Sequence, residues 1–255
     1  MSDHLELVGY LLGSVRFLAL FLVAPFFGHP AIPPRLRMGF ALAVAGALGT
    51  LGVDPVQPVG PAGAGMATAL LGEVLLGFTL GFATRLVFAG FSLMGEVISV
   101  QGGLGAASVL DPASDASTPA MASLTNLFAI LVMSALGGDH AILRATAGSI
   151  AQIPIGSVSV DGNLLGAIAG LGFVIFDVAV RLAMPVTAAM LLANLAVGIL
   201  GRTIPQLNLM TVQLPALLAL TFLLLVLGSD AFIGAIGRSI EEWIGGVGRL
   251  VVGAV

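Results

Sequence analysis

A polar, glycine-rich insert between two long apolar runs is the feature that most restricts how this chain can fold. The run Val74–Met94 carries Arg85 as its only charge, and the run Ala120–Gly138 carries none. Between them, Gly95–Met121 collects glycines, carboxylates and prolines. Irregular backbone cannot face hydrocarbon, because each unpaired N–H or C=O would cost several kcal/mol there. We therefore expect the insert to lie inside protein or to line water, and we interpret it as a gate or plug in a membrane-associated pore.

The composition argues against a free-standing soluble domain and against several enzyme classes. Of the 255 residues, 58% are hydrophobic and 9% are charged, whereas about a quarter of the residues in soluble domains are charged. Lipid or partner subunits must therefore cover much of the surface. The net charge of −4 comes without a basic cluster, so nucleic-acid binding has no electrostatic footprint. The chain has no Cys, no Lys and no HExxH motif, and we expect a protein that is not an enzyme and has no cofactor or metal.

The first apolar segment, Gly9–Phe27, has about 19 residues and is just long enough to cross a hydrocarbon core. The residues before it include Asp3 and Glu6 and lack the basic start of a secretion signal, which indicates a retained first helix. Arg16 lies inside the segment. Charges in such segments usually face protein, so we expect Arg16 to reach the membrane interface or to pair with another subunit, and a direct role in transport is the alternative.

A proline-rich stretch separates this segment from the next. Residues 25–37 contain four prolines, which exclude a continuous helix and predict a rigid extended turn that carries Arg35 and Arg37. A short apolar segment, Met38–Val53, comes next. Residues 56–69 are rich in proline and glycine and uncharged, and they predict an exposed flexible loop.

The third apolar run contains two charges and a pair of glycines. Glu73 is expected to open a helix, where the helix dipole favours an acidic residue. Gly77 and Gly81 are four residues apart, which places them on one face and would allow a neighbouring backbone to approach closely. Arg85 lies deeper in the run, and Glu96 closes it.

Within the insert, the apolar periodicity fails between Val97 and Thr118. Its glycines permit backbone angles that other residues avoid, and each X-Pro pair favours extended geometry. An ordinary solvated loop is one interpretation, but apolar residues such as Leu104, Val109 and Leu110 are too many for a loop that only faces water. We expect a half-buried, mobile insert. Its candidate gate residues are Gln101, Gly102, Gly103, Gly105, Asp111, Pro112, Asp115 and Pro119.

The long run Leu164–Leu200 is too long for one membrane crossing, and we expect two helical pieces that meet at Pro185. Asp177 and Arg181 are four residues apart with the acid first, the order that pairs best along a helix. We expect an ion pair, either structural or functional. The tail 230–255 is typical of an amphipathic helix at a membrane interface.

Five stretches in this order resemble the FliR family, the export-gate subunit of the flagellar secretion apparatus, which is related to a subunit of virulence type III secretion systems. They include APFFGHPAIPPRLRMGFAL at 24–42, GEVLLGFTLGF at 72–82 and MGEVISVQGGLGAASVLDPASDASTP at 94–119. The resemblance continues through 133–156 and 184–210. It covers nearly the whole chain, and the series is more specific than any one of its parts.

The resemblance implies an all-α membrane protein of bent, Pro/Gly-broken helical hairpins in a hetero-oligomeric export gate. Residues 1–160 would form a FliP-like portion and residues 161–255 a FliQ-like portion. The implied partners are FliP-like and FliQ-like subunits, FlhB-like and FlhA-like components, unfolded export substrates and membrane lipid, and no nucleic acid. The implied location is the bacterial inner membrane at the flagellar basal body. The loop 101–119 would act as the plug of the channel, and a turn motif of the family matches Arg202, Pro205, Gln206 and Asn208.

Three other functions remain open at this point. One is the equivalent subunit of a virulence secretion system, the injectisome. Another is an ion-coupled secondary transporter whose broken helices form the site. The third is a structural membrane scaffold without a conduit. The charges within apolar runs are expected to be buried, and these are Arg16, Glu73, Arg85, Asp177 and Arg181.

Overall fold

The computed structural model is mostly helical over the residues that it describes, which are 2–28, 32–50, 64–103, 120–157, 166, 171–203 and 209–253. This part of the chain contains eight α-helices and no strand, which confirms the predicted all-α class. The helices are α1 (Ser2–Val23), α2 (Pro34–Thr50), α3 (Ala64–Gln101), α4 (Ala120–Ala135), α5 (Gly138–Gln152), α6 (Gly172–Thr203), α7 (Leu209–Leu227) and α8 (Ser229–Gly253).

Among the described residues, two helices are long and apolar enough to cross a membrane, and up to four spans result if each bent pair of helices counts as one. The first is Gly65–Gln101, in which the chain itself buries 67% of the most apolar stretch of 18 residues. The second is Gly172–Ile199, where that share is 17%. Phe173, Leu192 and many other large apolar side chains are exposed. An apolar surface of this size is unfavourable in water, and the protein is therefore membrane-embedded.

One compact unit comprises Met1–Val87, Gly137–Gly172 and Ile240–Val255. Within it, α1 packs on α2 and on the first part of α3. A Cβ atom at Gly81 would lie 2.9 Å from the backbone oxygen of Leu20, and one at Gly77 would collide with the backbone oxygen of Arg16. The predicted close approach of a helix to the Gly77/Gly81 face is confirmed.

The second compact unit comprises Phe88–Leu136 and Phe173–Ser239. Here the last part of α3 packs on α6, because Gly90 lets the backbone of Ile175 approach to 3.0 Å from where a Cβ would lie. The core of this unit includes fully buried Phe91 and Met94. At Gly228, the pair of helices Pro215–Leu227 and Ser229–Trp243 bends by 65°, as expected for helices broken at glycine.

The helix boundaries differ from the prediction in several places. The first helix ends at Val23 and not at Phe27, and α3 continues past Glu96 to Gln101, into the predicted insert. The predicted extended turn ends early, since α2 begins at Pro34, a favourable first position for proline. The predicted loop 56–69 is wrong over its last residues, because α3 begins at Ala64. Glu73 lies in the interior of that helix and does not open it. The predicted break at Pro185 is wrong as well, since α6 continues through it; apolar surroundings tolerate proline in a helix where neighbouring groups satisfy the freed carbonyl. The division of the chain at residue 160 stays a prediction.

Candidate functional site

The candidate gate insert leaves α3 at a glycine-terminated helix end. Gln101 is the last residue of α3, and the N–H of Gly102 donates to the backbone oxygen of Ile98 at 2.9 Å. Gly103 follows with φ of 74°, a left-handed conformation that glycine adopts without steric cost and that commonly ends helices. The remaining predicted gate residues, Gly105, Asp111, Pro112, Asp115 and Pro119, lie outside the described residues.

The two helices that flank the insert are in backbone contact. A Cβ atom at Gly95 in α3 would lie 2.6 Å from the Cα of Ala122 and 2.8 Å from the hydroxyl oxygen of Thr125, both in α4. No side chain could fit between them. The helices before and after the insert, α3 and α4, are therefore packed closely against each other at Gly95.

A third helix meets the chain at the point where the insert begins. A Cβ atom at Gly102 would collide with the hydroxyl oxygen of Thr221 in α7. Thr221 is fully buried, donates to the backbone oxygen of Leu217 at 2.8 Å and lies 3.8 Å from the sulfur of Met190 in α6. We call Gly95, Gly102, Ala122 and Thr221 the loop frame. The sequence singled out Gly102, but no pattern in it signalled Thr221.

The first compact unit holds a buried ion pair between Arg16 in α1 and Glu73 in α3. The guanidinium is bidentate, with Nε donating to Oε2 at 2.6 Å and Nη2 donating to Oε1 at 3.0 Å. Both side chains are fully buried. The sequence predicted that Arg16 would reach the membrane interface or pair with another subunit, but its partner lies 57 residues away in the same chain. The sequence signal that could have found this pair is the presence of two opposite charges within apolar runs.

Residues at and just after the end of α5 supply the remaining hydrogen-bond partners of the two charged side chains. Arg16 donates from Nη1 to the hydroxyl oxygen of Ser149 at 2.9 Å and from Nη2 to the backbone oxygen of Ile153 at 3.2 Å. The N–H of Gly156 donates to Oε1 of Glu73 at 3.0 Å. Neither charge is left without hydrogen-bond partners, which is the condition for burying charges without a large penalty.

The other predicted charges have different surroundings. Asp177 and Arg181 form the expected ion pair at 2.9 Å, and their side chains are 60% and 58% exposed on this chain. Arg85 is exposed, and so is Arg202 of the family turn motif. The rest of that motif, Pro205, Gln206 and Asn208, lies outside the described residues. Over the described part of the chain, no group of three His, Cys, Asp or Glu side chains is arranged to bind a metal.

Comparison with known proteins identifies the family. The family model described as "Bacterial export proteins, family 1" matches residues 7–243. The chain belongs to this family. It is 33% identical over 214 residues to the flagellar biosynthetic protein FliR of Pectobacterium carotovorum, covering 84% of this chain and 80% of that protein. It is 29% identical over 201 residues to FliR of Escherichia coli K12, covering 79% and 76%.

This bacterial export protein is also similar to a protein with a different name. It is 30% identical over 217 residues to the surface presentation of antigens protein SpaR of Shigella flexneri, covering 84% of this chain and 82% of SpaR. The predicted relationship to the FliR family is confirmed by these matches, and the chain is a membrane-embedded subunit of the bacterial export type.

Proposed function

We propose that the chain is a non-enzymatic subunit of a flagellar protein export gate, which forms a closed channel together with FliP-like and FliQ-like subunits. Unfolded flagellar proteins pass through this channel. FlhB-like and FlhA-like components complete the assembly, which lies in the inner membrane at the basal body. The family match over residues 7–243 is the observation that carries this proposal.

The loop 101–119 is the plug in this proposal. A plug must block ions at rest and yield to a passing polypeptide, so it needs an adaptable backbone between ends that do not move. The loop frame meets the second requirement, since backbone contact at Gly95 and a buried contact at Gly102 hold the helices on either side. The glycines and small residues of the insert meet the first.

Deleting residues 104–117 from the assembled complex tests the plug. The expected result is increased leakage of ions or small molecules through membranes that contain the complex, with some protein export retained. A matched control replaces the same residues by a Gly/Ser segment of equal length, which removes Leu104, Val109 and Leu110 but keeps the chain length. Membranes as tight as wild type after the deletion, at equal complex abundance, would refute the plug.

The similarity to SpaR favours a second candidate, the equivalent subunit of an injectisome. The channel would have the same chemistry in both candidates, so the two are distinguished by the proteins that they export. The test is to express this chain, together with partner subunits from the same source, in a strain that lacks its own FliR. Restored flagellar export supports the first candidate, and export of injectisome proteins without flagellar export supports the second.

A further inference from the structure

The Arg16–Glu73 pair joins three segments that are far apart in the sequence. Arg16 belongs to α1 and Glu73 to α3, and the third segment is the end of α5 with the turn that follows it. We propose that this pair is a directional junction that holds the first compact unit together, with both charges compensated inside that unit, before any partner subunit binds. The junction is independent of what passes through the gate.

All partners of the two charges come from the same compact unit. Glu73 accepts three N–H groups, two from Arg16 and one from Gly156. Arg16 has two further acceptors, the hydroxyl of Ser149 and the carbonyl of Ile153. Because the chain itself supplies these groups, neither charge needs lipid headgroups, water or another subunit for compensation.

The end of α5 is suited to a cation. Ser149 lies in its last turn, and Ile153 is its C-cap residue, with φ of −125° and ψ of 92°. The carbonyls at a helix C-terminus carry partial negative charge and lack helical partners, so a guanidinium there is stabilised by both effects. Three residues after the C-cap, Gly156 has φ of 82° and directs its N–H to Glu73.

The junction has a direction, which a simple ion pair lacks. The groups around Glu73 are donors, and those around Arg16 include the carbonyl of Ile153, which can only accept. Exchanging the two charges would place a carboxylate against that carbonyl and a guanidinium against the N–H of Gly156. The exchanged charges would still attract each other, but they would lose their hydrogen bonds to the surrounding groups. The carbonyl of Ile153 would also repel the carboxylate.

The close approach of α1 and α3 brings the side chains of Arg16 and Glu73 within hydrogen-bonding distance. Gly77 lies one helical turn after Glu73 and touches the backbone oxygen of Arg16 itself. The arginine therefore does not have to extend across a gap, and its guanidinium meets the carboxylate side-on in the bidentate geometry that is strongest for this pair.

The test uses the full chain expressed in membranes without partner subunits, extracted in detergent. Three variants are compared with wild type: Glu73→Met, the double variant Arg16→Met with Glu73→Met, and the exchange Arg16→Glu with Glu73→Arg. The amount of monodisperse, protease-resistant protein is measured by gel filtration and limited proteolysis. We expect at least a tenfold loss for Glu73→Met, because it leaves a buried unpaired charge. The double variant should lose less, and the exchange should lose as much as the single variant or more.

Three outcomes would overturn the junction. The first is an exchange variant as abundant as wild type, which would mean that opposite charge alone is sufficient. The second is Glu73→Met at wild-type abundance. The third is a wild-type chain that becomes protease-resistant only with partner subunits, which would show that the unit does not preassemble. Membrane leakage is not part of this readout, so failure of the junction and failure of the plug are distinguishable.

Discussion

The contact between α1 and α3 at Gly77 gives the sharpest prediction of stability. A Cβ atom at this position would collide with the backbone oxygen of Arg16 and would lie 2.9 Å from the Cβ of Ala19. The first obstacle is backbone, so rotation of a side chain cannot relieve it. Replacing Gly77 by alanine therefore forces the two helices apart at this contact.

Opposing effects determine the size of the change. Alanine is favoured over glycine in a helix by about 1 kcal/mol. Overpacking costs about 1–3 kcal/mol. Moving α1 from α3 also weakens the charged hydrogen bonds between Arg16 and Glu73, each worth about 1.5–3 kcal/mol. The net expectation is a destabilisation of about 2–4 kcal/mol, which corresponds to a fall in Tm of roughly 4–16 °C for a chain of this size.

The assay is thermal unfolding of the purified full chain in detergent, followed by loss of the monodisperse gel-filtration peak. Gly148→Ala in α5 is the matched control, because a Cβ there has no neighbour within 4 Å and the residue is exposed. The control should unfold at the wild-type temperature or slightly above it. A Gly77→Ala variant that is as stable as this control would refute the argument that backbone contact holds α1 against α3.

Two further variants test the second compact unit. Gly95→Ala should lower Tm by several degrees, because its Cβ would lie 2.6 Å from the Cα of Ala122 and overpacking against backbone costs about 1–3 kcal/mol; an unchanged Tm would show that α3 and α4 are not in backbone contact. Asp177→Asn should lower Tm more than the double variant Asp177→Asn with Arg181→Gln, because both residues lie in the apolar helix α6 and a lone charge in apolar surroundings is costlier than none. A single variant that is as stable as the double variant would contradict this.

Much of the architecture could be predicted from local sequence. Apolar runs of sufficient length predict membrane helices, and the spacing of Gly77 and Gly81 predicts a face that admits another backbone. The order of Asp177 and Arg181 predicts their pairing, which the structure shows. Each of these rests on residues within one or two helical turns of each other, so periodicity is enough to place them on a common face.

The errors arise where local preference competes with packing. Glu73 was expected at a helix start because the dipole favours an acid there, yet it lies well inside α3 and is stabilised by Arg16. Pro185 was expected to break a helix, and α6 continues through it. In both cases the local cost is real, but contacts from distant segments or the apolar surroundings outweigh it.

By itself, the sequence determined that the chain is helical, membrane-embedded and related to bacterial export proteins, because hydropathy, helix length and ordered motifs are properties of neighbouring residues. Only the tertiary structure decided which charges from distant parts of the chain meet. Arg16 and Glu73 are separated by 57 residues, and Ser149 lies 133 residues from Arg16. Such a junction depends on how helices are arranged in space, and its energy comes from hydrogen bonds whose directions no pattern along the chain records.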